Sequence, residues 1–67
     1  MRIFDMLGKI TDKKLYIELI NNGNDNSLGI YTKEELEHSE FYDSGILKVN
    51  FQYKDNKRVM QLWIWVY

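Results

Sequence analysis

From Leu47 to Tyr53 apolar residues stand at every second position, Leu47, Val49, Phe51 and Tyr53, with Lys48, Asn50 and Gln52 between them. That is the period of a strand with one buried face. From Met60 to Val66 the alternation returns, with Met60, Leu62, Ile64 and Val66 on one side and Gln61, Trp63 and Trp65 on the other. The linking Lys54-Asp55-Asn56-Lys57 carries Asp and Asn, which tolerate the positive φ of a tight hairpin turn. A two-residue loop at Asp55-Asn56 sets Tyr53 opposite Arg58, Phe51 opposite Met60, Val49 opposite Leu62 and Leu47 opposite Ile64. A four-residue loop keeps those pairs, whereas a three-residue loop would set aliphatic residues against Lys48, Asn50 and Gln52, so an even-numbered loop is expected.

Upstream, Leu15, Ile17 and Leu19 alternate with Tyr16 and Glu18, a third strand. The run from Asn21 to Ser27 breaks regular structure, and Leu28 to Tyr31 reads as a short fourth strand. Thr32-Lys33-Glu34-Glu35 fits a capping box, which predicts a short helix from about Lys33 that ends before Gly45 and is pinned by Leu36, Phe41 and Tyr42. At the N-terminus Ile3, Met6, Leu7 and Ile10 fall at i, i+3, i+4 and i+7, predicting an amphipathic helix over about residues 2–9. The expected fold is therefore a single α+β domain spanning residues 1–67, in the order helix, strand, strand, helix, strand, strand (α-β-β-α-β-β). Its sheet is expected to be antiparallel with about four strands, ending in a β-hairpin.

Composition narrows the classes. The chain has 67 residues and no cysteine, so neither a disulfide framework nor a cysteine zinc site is available. The longest apolar run, Leu62 to Tyr67, is far short of the roughly 20 residues of a membrane span, and no uninterrupted hydrophobic leader opens the chain. No membrane association and a cytoplasmic location are the expectations. Nine basic residues against ten acidic ones argue against a duplex nucleic-acid binder. Alanine and proline are absent while Lys, Asn, Ile and Tyr abound, which fits an AT-rich coding genome.

The opening Met1-Arg2-Ile3-Phe4-Asp5-Met6-Leu7-Gly8-Lys9-Ile10 resembles the start of small uncharacterised phage and prophage accessory proteins of low-GC Gram-positive bacteria. The resemblance covers the N-terminal helix; beyond it, Thr11-Asp12-Lys13-Lys14 stands where those proteins continue with Gly-Glu-Glu. It implies a phage accessory gene, a class that often encodes inhibitors of host machinery.

Candidate chemistry is sparse. His38 is the only histidine, and Glu34 could share its helix face, but a solvated pair is the commoner arrangement and no nucleophile is set beside it. Asn22, Asn24 and Asn26 mimic the start of a calcium loop but lack its carboxylates, its glycine and its terminal Glu. No cofactor, no metal site and no enzyme are expected. Two surfaces remain. The acidic run Glu34, Glu35, Glu37, Glu40 and Asp43 is either a solvated helix or a face for a basic protein surface, such as one that normally binds nucleic acid. Trp63, Trp65 and Tyr67, with Val59, Ile46 and Tyr16, form either a second, thinner core under Leu36, Phe41 and Tyr42 or an exposed aromatic patch. The expected function is a non-enzymatic protein-binding module, in its specific form a phage-encoded inhibitor of a host defence protein of the anti-CRISPR kind. The alternatives are a single-stranded nucleic-acid binder that stacks bases on the aromatic hairpin face, with Lys48, Lys57 and Arg58 nearby, and a small structural homodimer.

Overall fold

A computed structural model describes residues 1–66. Its elements are α1 (Ile3–Leu7), β1 (Tyr16–Asn21), β2 (Ser27–Tyr31), α2 (Lys33–Glu37), β3 (Ile46–Lys54) and β4 (Lys57–Ile64), which is the α+β order the patterning predicts. The four strands form one sheet in the order β2-β1-β4-β3. The two outer pairs are antiparallel and the central pair, β1 with β4, is parallel, so the sheet is mixed rather than purely antiparallel. The reason lies in the connection. The chain leaves β2 at one edge, crosses through α2 and the turns that follow, and enters β3 at the opposite edge. The hairpin then folds β4 back inside, alongside β1.

Local chemistry builds each element. Thr32 Oγ1 accepts from the Glu35 amide at 3.2 Å while the Glu35 carboxylate accepts from the Thr32 amide at 2.9 Å, a complete capping box. Asp5 closes α1 in the same way, accepting from the Arg2 amide at 3.1 Å. At the hairpin, Asp55 and Asn56 have φ of 52° and 64°, the two positive values of a tight turn whose twist matches the strands. The pairs Tyr53–Arg58, Phe51–Met60 and Val49–Leu62 form as the alternation requires. Leu47 does not reach Ile64. An irregularity between Ile46 and Lys48 sets Leu47 out of the ladder and brings Ile46 opposite Ile64. On β2, Gly29 takes φ 117° and lies beneath the Tyr31 ring, where a Cβ would sit 3.2 Å from the phenol oxygen.

Both helices pack on one face of the sheet. Ile3 and Leu7 of α1 and Leu36 of α2 join Ile17 and Leu19 of β1 and Met60, Leu62 and Ile64 of β4 in a single buried cluster, with Phe41 against it. The idea that Leu36 and Phe41 cover the opposite face therefore fails: among the described residues no helix lies there, and Ile20 and Val59 are buried on that side within the sheet itself. The cover also stops short of β3. Val49, Phe51 and Tyr53 share the face of Leu62 and Met60, yet they are 39%, 71% and 78% exposed, and Leu47 is 55% exposed. The buried face expected from Leu47 to Tyr53 is open: the buried residues of the two five-residue helices cluster with β1 and β4, and of the apolar residues of β3 Ile46 is the one packed against that cluster.

No helix among the described residues is long and apolar enough to cross a membrane. The burial pattern yields a direct test of register and cover together. Leu62→Ala should destabilise by about 2–5 kcal/mol, because it empties a fully buried site on the central strand. Val49→Ala, its cross-strand partner, should cost about 1 kcal/mol or less, since much of that side chain is already in water. Chemical denaturation of the two variants checks this, and equal losses would mean that β3 is covered.

Candidate functional site

The β3 edge is assembled from three local decisions. Asp55 and Asn56 fix a two-residue turn, so Lys54 and Lys57 form the hydrogen-bonded pair next to the loop. Pairs alternate from there. The N–H and C=O groups of Lys54, Gln52, Asn50 and Lys48 point at β4, and those of Tyr53, Phe51 and Val49 point away from the sheet. The apolar residues of the strand are thus the ones with outward backbone groups. Among the described residues only the start of this edge is taken: the Ile46 amide donates to the Met1 carbonyl at 2.8 Å, and Arg2 bridges Gly45.

The other face of the sheet is bare of helices and organised by charge. Glu18 of β1 lies beside Gln61 of β4, which lies beside Asn50 of β3. Asn50 Nδ2 donates to Gln61 Oε1 at 3.1 Å, and Gln61 Nε2 donates to Glu18 Oε1 at 2.7 Å. Ser27 Oγ and Lys54 Nζ also donate to Glu18, at 2.8 and 3.1 Å. Glu18 and Gln61 are buried by the side chains around them. The Gln61 hydrogen bond, with those from Ser27 and Lys54 and the Lys54 charge, outweighs the cost of burial and holds the Glu18 carboxyl below the usual glutamate range.

The sequence-predicted residues distribute unevenly. Trp63 is half-buried on the bare face, with the Lys48 ammonium 4.7 Å from its ring centroid and its Nε1 donating to Asp25 Oδ1 at 3.1 Å. It faces Lys48, as the hairpin register required. Trp65 lies beyond β4, 53% exposed, in a groove with Leu47, Glu40, Asp43 and Arg2. Tyr67 lies outside the described residues. The structure therefore separates the two tryptophans instead of stacking them on one patch. Of the acidic run, Glu35 is occupied by the cap of α2 and Asp43 accepts from Arg2 Nη1 at 2.7 Å. Glu34 and Glu37 are exposed beside His38, Lys13 and Lys33, and Glu40 stands apart at the Trp65 groove. Among the described residues no three acidic or histidine side chains form a metal-binding group.

Sequence reasoning placed the apolar row of β3 in the core and missed the Glu18 network. The signal for the network was present in the polar residues at the alternate positions of three strands. What alternation could not give was their alignment, which depends on β1 lying next to β4. Comparison with protein-family models, curated proteins and solved structures found no match to this chain. The reading of function therefore rests on the surface itself. It has one long strand with an open edge, a mostly solvent-exposed apolar row, and Lys48, Asn50, Gln52 and Lys54 along its reverse side.

Glu18 makes stability depend on pH in a defined direction. Its pKa is lowered on folding, so its contribution is complete above the unfolded value and is lost as pH falls through the folded one. Wild-type stability should decline on acidification from about pH 5 to pH 2, and Glu18→Gln should flatten part of that decline. Denaturant midpoints for both proteins across this range check it; parallel curves would remove Glu18 as the cause.

Proposed function

We propose that this chain is a non-enzymatic protein-binding module that engages its partner through β3. The observation that carries the reading is the exposed row of Val49, Phe51 and Tyr53 on an edge strand. Large apolar side chains in a contiguous row on a small domain are the kind of surface that marks a partner site, and bare strand edges are the places where another chain pairs. The resemblance of residues 1–10 supports the more specific form, an inhibitor of a host protein encoded by a phage. Phe51 and Tyr53 supply rigid aromatic area at low entropy cost, as interface anchors do.

Two other surfaces have weaker support. The acidic run has two of its five carboxylates engaged within the chain, by the α2 cap and by Arg2. Base stacking on Trp63 would have to displace the Lys48 ammonium from its ring, beside the Asp25 carboxylate that accepts from its indole N–H.

Phe51→Asp and Tyr53→Asp should each abolish capture of the partner from a bacterial lysate while leaving the melting temperature within about 2 °C of wild type, since both side chains stand mostly in water. Capture by immobilised wild-type protein followed by mass spectrometry, with both variants in parallel, tests this. A protein still retained by both variants, but lost when Glu34, Glu37 and Glu40 are reversed to lysine, would move the binding site to the acidic segment.

A further inference from the structure

We propose that the open edge of β3 takes up an extended segment of a partner protein as a fifth strand, and that this segment carries acidic residues where it passes Lys48 and Lys54. The inference rests on β3 being the binding surface and specifies how it binds. Three observations carry it. The outward N–H and C=O groups of Val49, Phe51 and Tyr53 offer a ladder that a fifth strand can complete, and Met1 has begun such a ladder at Ile46. Side chains of an added strand alternate between the two faces as those of β3 do, so its apolar residues would lie beside Val49, Phe51 and Tyr53 on the helix side.

The third observation is charge. On the reverse side the added strand passes Lys48, Asn50, Gln52 and Lys54 in turn. Lys48 stands over the Trp63 ring at one end of the row; at the other, Lys54 offsets the charge of Glu18 at 3.1 Å and Lys57, directly across the hairpin and over the Tyr16 ring, adds a second positive charge. A strand with carboxylates at its two ends and neutral polar residues between them matches this row.

The same row argues against a second copy of this chain. Antiparallel self-pairing that uses all three outward residues sets Val49 opposite Tyr53 and Phe51 opposite itself, and therefore sets Lys48 opposite Lys54 on both sides. Sliding by two residues relieves those like-charge pairs but leaves one of the three outward residues without its partner.

The probe is the peptide Glu-Val-Thr-Val-Thr-Val-Glu, with Lys-Val-Thr-Val-Thr-Val-Lys as control, added to the full chain labelled with nitrogen-15. The acidic peptide should slow amide exchange at Val49, Phe51 and Tyr53 by at least about tenfold near saturation, since those amides gain partners. The lysine peptide should leave them unchanged, and Lys48→Glu should weaken the acidic peptide while folding as wild type. Equal protection by both peptides, no protection by either, or binding that shifts side-chain signals without protecting these amides would overturn the proposal. Protection that grows with protein concentration alone would assign the edge to a second copy. Loss of partner capture in Phe51→Asp combined with any of these results would leave β3 as the binding surface and discard only strand addition.

Discussion

Cover is the constraint on which the rest of this molecule depends. Each helix has five residues, about 7.5 Å of length and roughly 10 Å of width. The sheet they must protect is four strands wide, with neighbours about 4.8 Å apart, and its longest strand of nine residues runs to roughly 30 Å. Two such helices cannot shield that area. They are placed where they protect most, over β1 and β4, and it is there that Ile17, Leu19, Met60, Leu62 and Ile64 are buried. With few apolar side chains left over, β3 forms a strand on the strength of its turn and its ladder with β4 while its own apolar row stays in water.

The bare face solves the same shortage by other means. A residue in a central strand is flanked on both sides even where nothing lies above it, so Glu18 and Gln61 are buried without a covering layer. Such groups need partners, because an unpaired buried carboxylate or amide is costly. Ser27, Lys54 and Asn50 supply them, and no buried side-chain nitrogen or oxygen among the described residues lacks one. The network also ties all four strands together at one level, which secures the parallel β1–β4 pair that no hairpin enforces.

Much of this was legible in the sequence, and the parts that were not share a physical reason. The hairpin could be read because a period-two pattern and a two-residue turn jointly fix register, and the start of α2 because a capping box is a local device. The parallel central pair depends on where the crossover through α2 delivers the chain, which no local pattern encodes. The displacement of Leu47 interrupts an otherwise perfect alternation with no glycine to announce it. The exposure of Phe51 and Tyr53 was hidden more deeply: alternation states which residues share a face, and says nothing about whether another element exists to cover it. For the candidate surface this meant that the strand expected to face the core stands exposed, while the sequence reading had sought a binding face elsewhere. The two tryptophans part company because the second falls past the end of β4, where strand alternation no longer sorts side chains.

An uncovered edge of this kind ordinarily invites indiscriminate pairing, and the usual remedy is charge along the strand. Here the remedy is asymmetric. The apolar row occupies the helix side of β3 and the lysines occupy the reverse, so charge does not shield the row but governs which strand can lie beside it. A second copy brings lysine against lysine at full overlap, a basic segment does the same, and an acidic segment does not. On the proposed reading, the lysines that oppose full-overlap pairing with a second copy are also the ones that favour an acidic strand over a basic one, so a single row of charges serves both ends.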